Sequence, residues 1–253
     1  MHRRIGIFGC SLLLVAAAYM VKKKWYSKKL PPKNNQIIRI IHDEHNKSTM
    51  AALFQPDNDH ISMPTYTRFK SEYDMANKDL DIRIIIKTPG GSLSAVEAIC
   101  SCIMNHQGQG KIYCYISEFC FSGGFLIAIC CDKIIMSRTA VCGPCDAQIS
   151  LGAFGSTYAI SSIAYAIEEK RKMNQNIKEE WLALYDSCQK TSIRQKELIK
   201  KIAAKKYAEG MEQILYDEFF SGKYNHDNPI DAWTVSQILK EKVEIVDIMP
   251  VLV

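Results

Sequence analysis

Two apolar stretches, each stopped by a pair of glycines and each followed by a helix-like segment, set tight limits on how this chain can fold. Ile82 to Ile86 reads as a strand of the buried kind and stops at Thr88-Pro89-Gly90-Gly91. Leu93 to Met104 follows as a helix, then Lys111 to Ser117 as a second strand. The turn Phe121-Ser122-Gly123-Gly124 opens an apolar helix, Phe125 to Cys131, and Lys133 to Ser137 is a third strand. Strand, helix, strand, helix, strand with short links predicts a parallel α/β core. Both glycine turns then fall at the C-terminal ends of strands, the edge where open α/β sheets place their sites.

Around this core the pattern is looser. Ile37 to Ile41 is a short apolar strand, and residues 44–80 are polar and mixed, giving only weak elements. After Ile160 the chain turns helical, with Ser161 to Met173 and Ile177 to Ala208 amphipathic and charged. Asp231 heads a further helix to Lys242, and Val243 to Ile248 closes as a strand. The expectation is one domain, 37–253, with a helical C-terminal part, behind a linker at 30–36 containing Pro31-Pro32 and Asn34-Asn35.

The N-terminal segment, residues 1–29, is of a different kind. Residues 5–21 are a run of 17 without a charge, about 25 Å long as a helix, and Lys22-Lys23-Lys24 follow at once. A cleaved signal peptide is the rival reading, with Ala16-Ala17-Ala18 as small residues, but a lysine flank is a stop-transfer feature. An uncleaved single-pass membrane anchor is expected, its globular part in the cytosol by the positive-inside tendency. Residues 1–29 hold seven basic residues and no acid, which leaves 25 basic against 27 acidic in the rest. A near-neutral body offers no electrostatic footprint for nucleic acid, and that class is set aside. The ten cysteines include Cys130-Cys131, adjacent inside an apolar helix, which fits buried thiols better than a disulfide framework.

Chemistry concentrates at the two turns. Gly90-Gly91 permits close backbone approach, and Ser122 would sit where a strand turns sharply into a helix. There the Gly123 N–H could stabilise an oxyanion, although taken alone Ser122 reads first as a helix cap. The two turns together, with Ile127-Ala128, Cys131-Asp132-Lys133-Ile134, Gly143-Pro144, Asp146 and Gln148, resemble the serine dehydrogenase proteinase family. That family belongs to the Clp-protease/crotonase superfamily and is related to signal peptide peptidase A. Ser221 to Ile230 is similar to a second block of the family.

The resemblance implies a Clp/crotonase-like fold and a serine peptidase with Ser122 as nucleophile. The N–H groups of Gly91 and Gly123 would form the oxyanion hole. Lys170, 48 residues after Ser122, is the first candidate base, as in related membrane-associated peptidases. His226 is the second, with Asp227 or Asp146 to orient it. No metal or cofactor is implied. The substrate would be a protein or peptide, membrane-associated, and copies would form a homo-oligomer with Ile199, Ile202, Ile214, Leu215 and Phe219 available for packing. Lys87, Phe125 and Ala147 depart from the family pattern. A peptidase-like scaffold without activity and a crotonase-type acyl-CoA enzyme are the alternatives. Cys142-Gly143-Pro144-Cys145 spells a thioredoxin-type redox motif, but Asp146 follows at once and glycines at 152 and 155 interrupt any long helix, so a structural role is expected.

Overall fold

A computed structural model of the chain describes residues 36–42, 60–151 and 156–250. The chain divides into two units, residues 1–35 and 36–253. The first, and the anchor expected at 5–21 with it, lies outside the described residues. Among the described residues no helix is long and apolar enough to cross a membrane.

Four strands of the main sheet are those the sequence announces: β1 (Ile37–Ile41), β2 (Ile82–Thr88), β3 (Ile112–Cys120) and β4 (Lys133–Ser137). They pair in that order, all parallel. The late strand β9 (Val243–Val246) adds to the far side of β4, also parallel. The core follows from alternation: Ile82, Ile84 and Ile86 of β2 are fully buried, while Arg83 faces outward. The crossovers are helices α2 (Leu93–Met104) and α3 (Gly123–Cys130). All eight residues of α3 are buried, which matches its continuous apolar sequence.

Helix α1 (Met63–Met75) occupies the stretch that the sequence left weak. Only Thr65, Phe69 and Tyr73 are buried, one residue every four, so a narrow seam holds an otherwise polar helix. Its start is marked by Pro64 and by the Ser62 N–H donating to Thr65 Oγ1 at 3.2 Å.

Between β4 and the late helices lie short strands that the sequence did not suggest. Strand β5 (Val141–Cys142) pairs with the end of β3 and, antiparallel, with β8 (Ile230–Asp231). Strands β6 (Gln148–Ser150) and β7 (Thr157–Ala159) form a separate antiparallel pair. Helices α4 (Ile160–Lys172) and α5 (Glu179–Lys206) then pack as a hairpin over Ile163, Ile167 and Cys188. After α6 (Met211–Leu215), the wider turn Tyr216–Phe220 carries Phe219 edge-on to Phe125 at 5.1 Å. Helix α7 (Ala232–Leu239) ends before Lys242, because Lys240 takes φ +51° and the chain tightens before β9.

One expectation is corrected here. Ile199, Ile202, Leu215 and Phe219 are buried in the chain's own core, so they are not surface for a neighbouring copy; only Ile214 is exposed.

Phe125 joins α3 to the late helical part, so Phe125→Ala should cost about 3–5 kcal/mol by opening a cavity at both. Urea unfolding of the variant should show a lower midpoint; an unchanged midpoint would contradict the packing described.

Candidate active site

The site grows out of the pairing of β2 with β3. Their register shifts between Ile86 and Thr88, so that Thr88 stands opposite Cys120. Both glycine turns therefore leave the same edge of the sheet, side by side. Gly90 adopts φ +114°, a conformation that favours glycine, and a Cβ there would stand 2.7 Å from Ser122 Cβ. Gly91 lies against backbone on its other side: its Cβ would meet the Ile61 carbonyl oxygen at 2.2 Å. Ile61 donates to the Gly90 carbonyl at 2.7 Å and accepts from Ser92 N–H at 2.8 Å, which fixes this turn.

Ser122 stands at the N-cap position of α3, but its side chain does not cap the helix. It has φ +49° and ψ −125°, whereas capping residues take extended angles, and it makes no capping hydrogen bond. A non-glycine residue in such a conformation is strained by about 1–3 kcal/mol and is held there by its surroundings. Two contacts hold it. Its carbonyl accepts from Leu126 N–H at 3.1 Å and from Cys145 Sγ at 3.2 Å. Neither Gly91 N–H nor Gly123 N–H has an acceptor among the described residues, and Gly123 opens α3, where the helix dipole favours negative charge.

A cleft of about 430 Å³ runs beside Ser122 and is lined also by Gly91, Gly123, Asp146 and His226. Asp146 is buried, and its Oδ1 lies 2.8 Å from His226 Nδ1 across 80 residues of sequence. With Nδ1 bonded to a carboxylate, Nε2 is the ring nitrogen left for a proton acceptor role. Asp146 Oδ2 is buried without a hydrogen-bond partner among the described residues. Apolar walls come from Leu93, Val96, Leu126 and Ile149.

The pattern of the chain over residues 11–249 matches the model of the ClpP-like SDH-type serine proteinases. The chain belongs to that family. Its relatives include two uncharacterized proteins of Methanocaldococcus jannaschii, MJ1495 and MJ0137. The first is 28% identical over 82% of this chain and the second 32% identical over 61%. The matches span 66% and 51% of those relatives' own lengths, so the chain corresponds to only part of each. Two solved structures of the 1510-N membrane-bound stomatin-specific protease share the fold, each at 16% identity and a TM-score of 0.53. They align with 84% of this chain and with 79% and 75% of their own. One is a serine-to-alanine mutant; the other is a lysine-to-alanine mutant in complex with a substrate peptide.

Within this family member the candidate residues separate into two groups. Ser122, Gly91, Gly123, Asp146 and His226 line one cleft; Lys170 does not line it and is exposed near the end of α4. Two contributors lay outside the sequence reading. Ile61 anchors Gly91, and nothing in a lone isoleucine announces that. Gln195 is buried and donates to the Cys145 carbonyl at 2.6 Å. It was findable: it shares the inner face of α5 with Leu198, Ile199 and Ile202, where a polar residue needs a partner.

Cys142 and Cys145 are free thiols, both buried, on a strand end and an irregular segment rather than at the head of a helix. Burial pushes both thiols well above their usual range, which opposes thiolate chemistry. Iodoacetamide at neutral pH should leave both unmodified in the folded protein and alkylate both after denaturation, as read by peptide mass spectrometry. Rapid alkylation of the native protein would contradict this.

Gly90→Ala tests the contact between the turns. The added methyl must displace Ser122, and we expect stability to fall by about 1–3 kcal/mol together with loss of any Ser122 reactivity.

Proposed function

We propose that the chain is a serine endopeptidase in which Ser122 is the nucleophile, His226 the base and Asp146 the group that orients it. The single observation that carries this reading is the buried Asp146–His226 pair, lining the same cleft as a serine held at positive φ. In the proposed reaction, His226 Nε2 takes the proton as Ser122 Oγ bonds to the scissile carbonyl carbon. The oxyanion is received by Gly91 and Gly123 N–H groups. The imidazolium then returns the proton to the leaving amine as the C–N bond breaks, and water hydrolyses the acyl-enzyme by the same relay. The apolar wall of the cleft supports a substrate side chain of that character.

A second reading keeps Lys170 as base. It is favoured by the solved neighbour that pairs a lysine substitution with a bound substrate peptide. It requires α4 to deliver Lys170 to the cleft, and a lysine base must be desolvated to act as one. The proposal also includes residues 5–21 as a single-pass anchor with the body in the cytosol, supported by the membrane-bound neighbour. Copies would associate through the α4–α5 hairpin, which presents Tyr165, Met173 and Trp181 to solvent.

A fluorophosphonate probe should label the wild type and not Ser122→Ala. His226→Ala should label more slowly by roughly three to four orders of magnitude, with Lys170→Ala near the wild-type rate. Fast labelling of a folded His226→Ala beside an inert, folded Lys170→Ala would transfer the base to lysine. Equal labelling of Ser122→Ala and wild type would remove Ser122 as nucleophile.

A further inference from the structure

The opposite end of the sheet carries a second concavity. The five strands β1, β2, β3, β4 and β9 are parallel, so their N-terminal ends share one edge, away from Ser122. A cleft of about 600 Å³ opens there, lined by Lys111, Lys133, Lys205, Lys206 and Lys242, with Asp132 and Glu241 as its carboxylates. The lysines come from four separate places: the segment before β3, the start of β4, the last turn of α5 and the turn before β9.

Helix ends explain part of this. Lys205 Nζ donates to the Met104 carbonyl and Asn105 Oδ1 at the end of α2, at 3.2 and 2.9 Å. Lys242 Nζ donates to the Cys131 and Asp132 carbonyls beyond α3, at 2.9 and 3.1 Å. Cations are favoured at such ends, so capping accounts for these two positions. Lys206 pairs with Asp132 at 2.7 Å, and Lys133 with Glu244, which stands outside the cleft. Asp79 and Asp81 accept backbone N–H groups of Gln109 and Lys111.

Within the lining itself the charge is unbalanced: five ammonium groups meet two carboxylates, Asp132 and Glu241, while Glu244, Asp79 and Asp81 stand outside it. Carbonyl partners supply only partial charge. Lys111 has no side-chain partner among the described residues and is exposed. Lys242 is half-withdrawn from water, and burial pushes its pKa down from the usual lysine value. Gathering like charges in a concavity raises the local potential and concentrates an anion of opposite sign.

We propose that this cleft is a binding site for phosphate oxyanions, carried either by a soluble polyphosphate or by an anionic lipid headgroup. Ammonium groups act as point charges on phosphate oxygens and need no fixed fork geometry, which suits converging lysines. The site is independent of the chemistry at Ser122, which lies on the other edge of the sheet.

The test titrates the full chain, held in a nonionic detergent, with inorganic tripolyphosphate by calorimetry. Saturable binding is expected, about three- to fivefold weaker in Lys111→Gln and at least about tenfold weaker in Lys111→Gln/Lys205→Gln. Lys201→Gln, on the exposed face of α5 and outside the cleft, should bind as the wild type does. Absent binding, or equal binding by wild type and the folded Lys111→Gln protein, would overturn the proposal. Two vesicle arms identify the source. Tripolyphosphate binding retained in pure phosphatidylcholine but lost in equal phosphatidylcholine and phosphatidylglycerol assigns the cleft to headgroups. Equal binding in both assigns it to a soluble compound, and binding in neither overturns the site.

Discussion

The contact between Gly90 and Ser122 is the constraint on which the rest of the site depends. It exists because β2 and β3 are neighbours and because their register shifts just before Thr88, letting both turns leave the sheet together. A side chain at position 90 would occupy the space that Ser122 uses. Ser122 in turn has a positive φ, and its carbonyl is held by Leu126 N–H and Cys145 Sγ. Strain at one residue is thus carried by contacts from a strand, a helix and the segment after β5, and those contacts are what parallel pairing brings within reach.

Much of the fold was legible because it is local. Ile82 to Ile86 is an almost unbroken apolar run, the glycines stop it, and the strand–helix–strand order assigns the apolar run after Gly124 to a helix, which is buried on every side. What was not legible depends on partners remote in sequence. Helix α1 hides because its seam is three residues wide in an otherwise polar stretch. The short strands β5 and β8 are two residues each and exist only because they meet each other. No periodicity can announce that.

The site divides in the same way. That Ser122, Gly91 and Gly123 share one edge of the sheet could be read from their turns, since each turn ends a parallel strand. The pairing of Asp146 with His226 could be named only as one of two options, because 80 residues separate them and contacts between remote segments, β5 with β8 and Cys145 N–H with the Phe219 carbonyl, bring them together. The sequence offered Asp227 as an equal partner, but it is Asp146 that is bonded to the ring. Lys170 illustrates the converse. Its spacing from Ser122 suggested proximity, yet α4 belongs to a hairpin with its own small core and leaves that lysine in solvent.

Helix α3 has no solvent face at all, and Ser122 sits at its first turn. A helix with one exposed side can fray or tilt while the domain stays folded; one enclosed on every side has no such partial motion open to it. Its hydrogen-bonded amide protons, Gly123 N–H at the cleft apart, should therefore exchange only when the whole domain opens, so the lifetime of the serine's geometry equals the lifetime of the fold. Heat or denaturant would then remove the site and the structure in one step, with no intermediate state that is folded but disarranged at position 122.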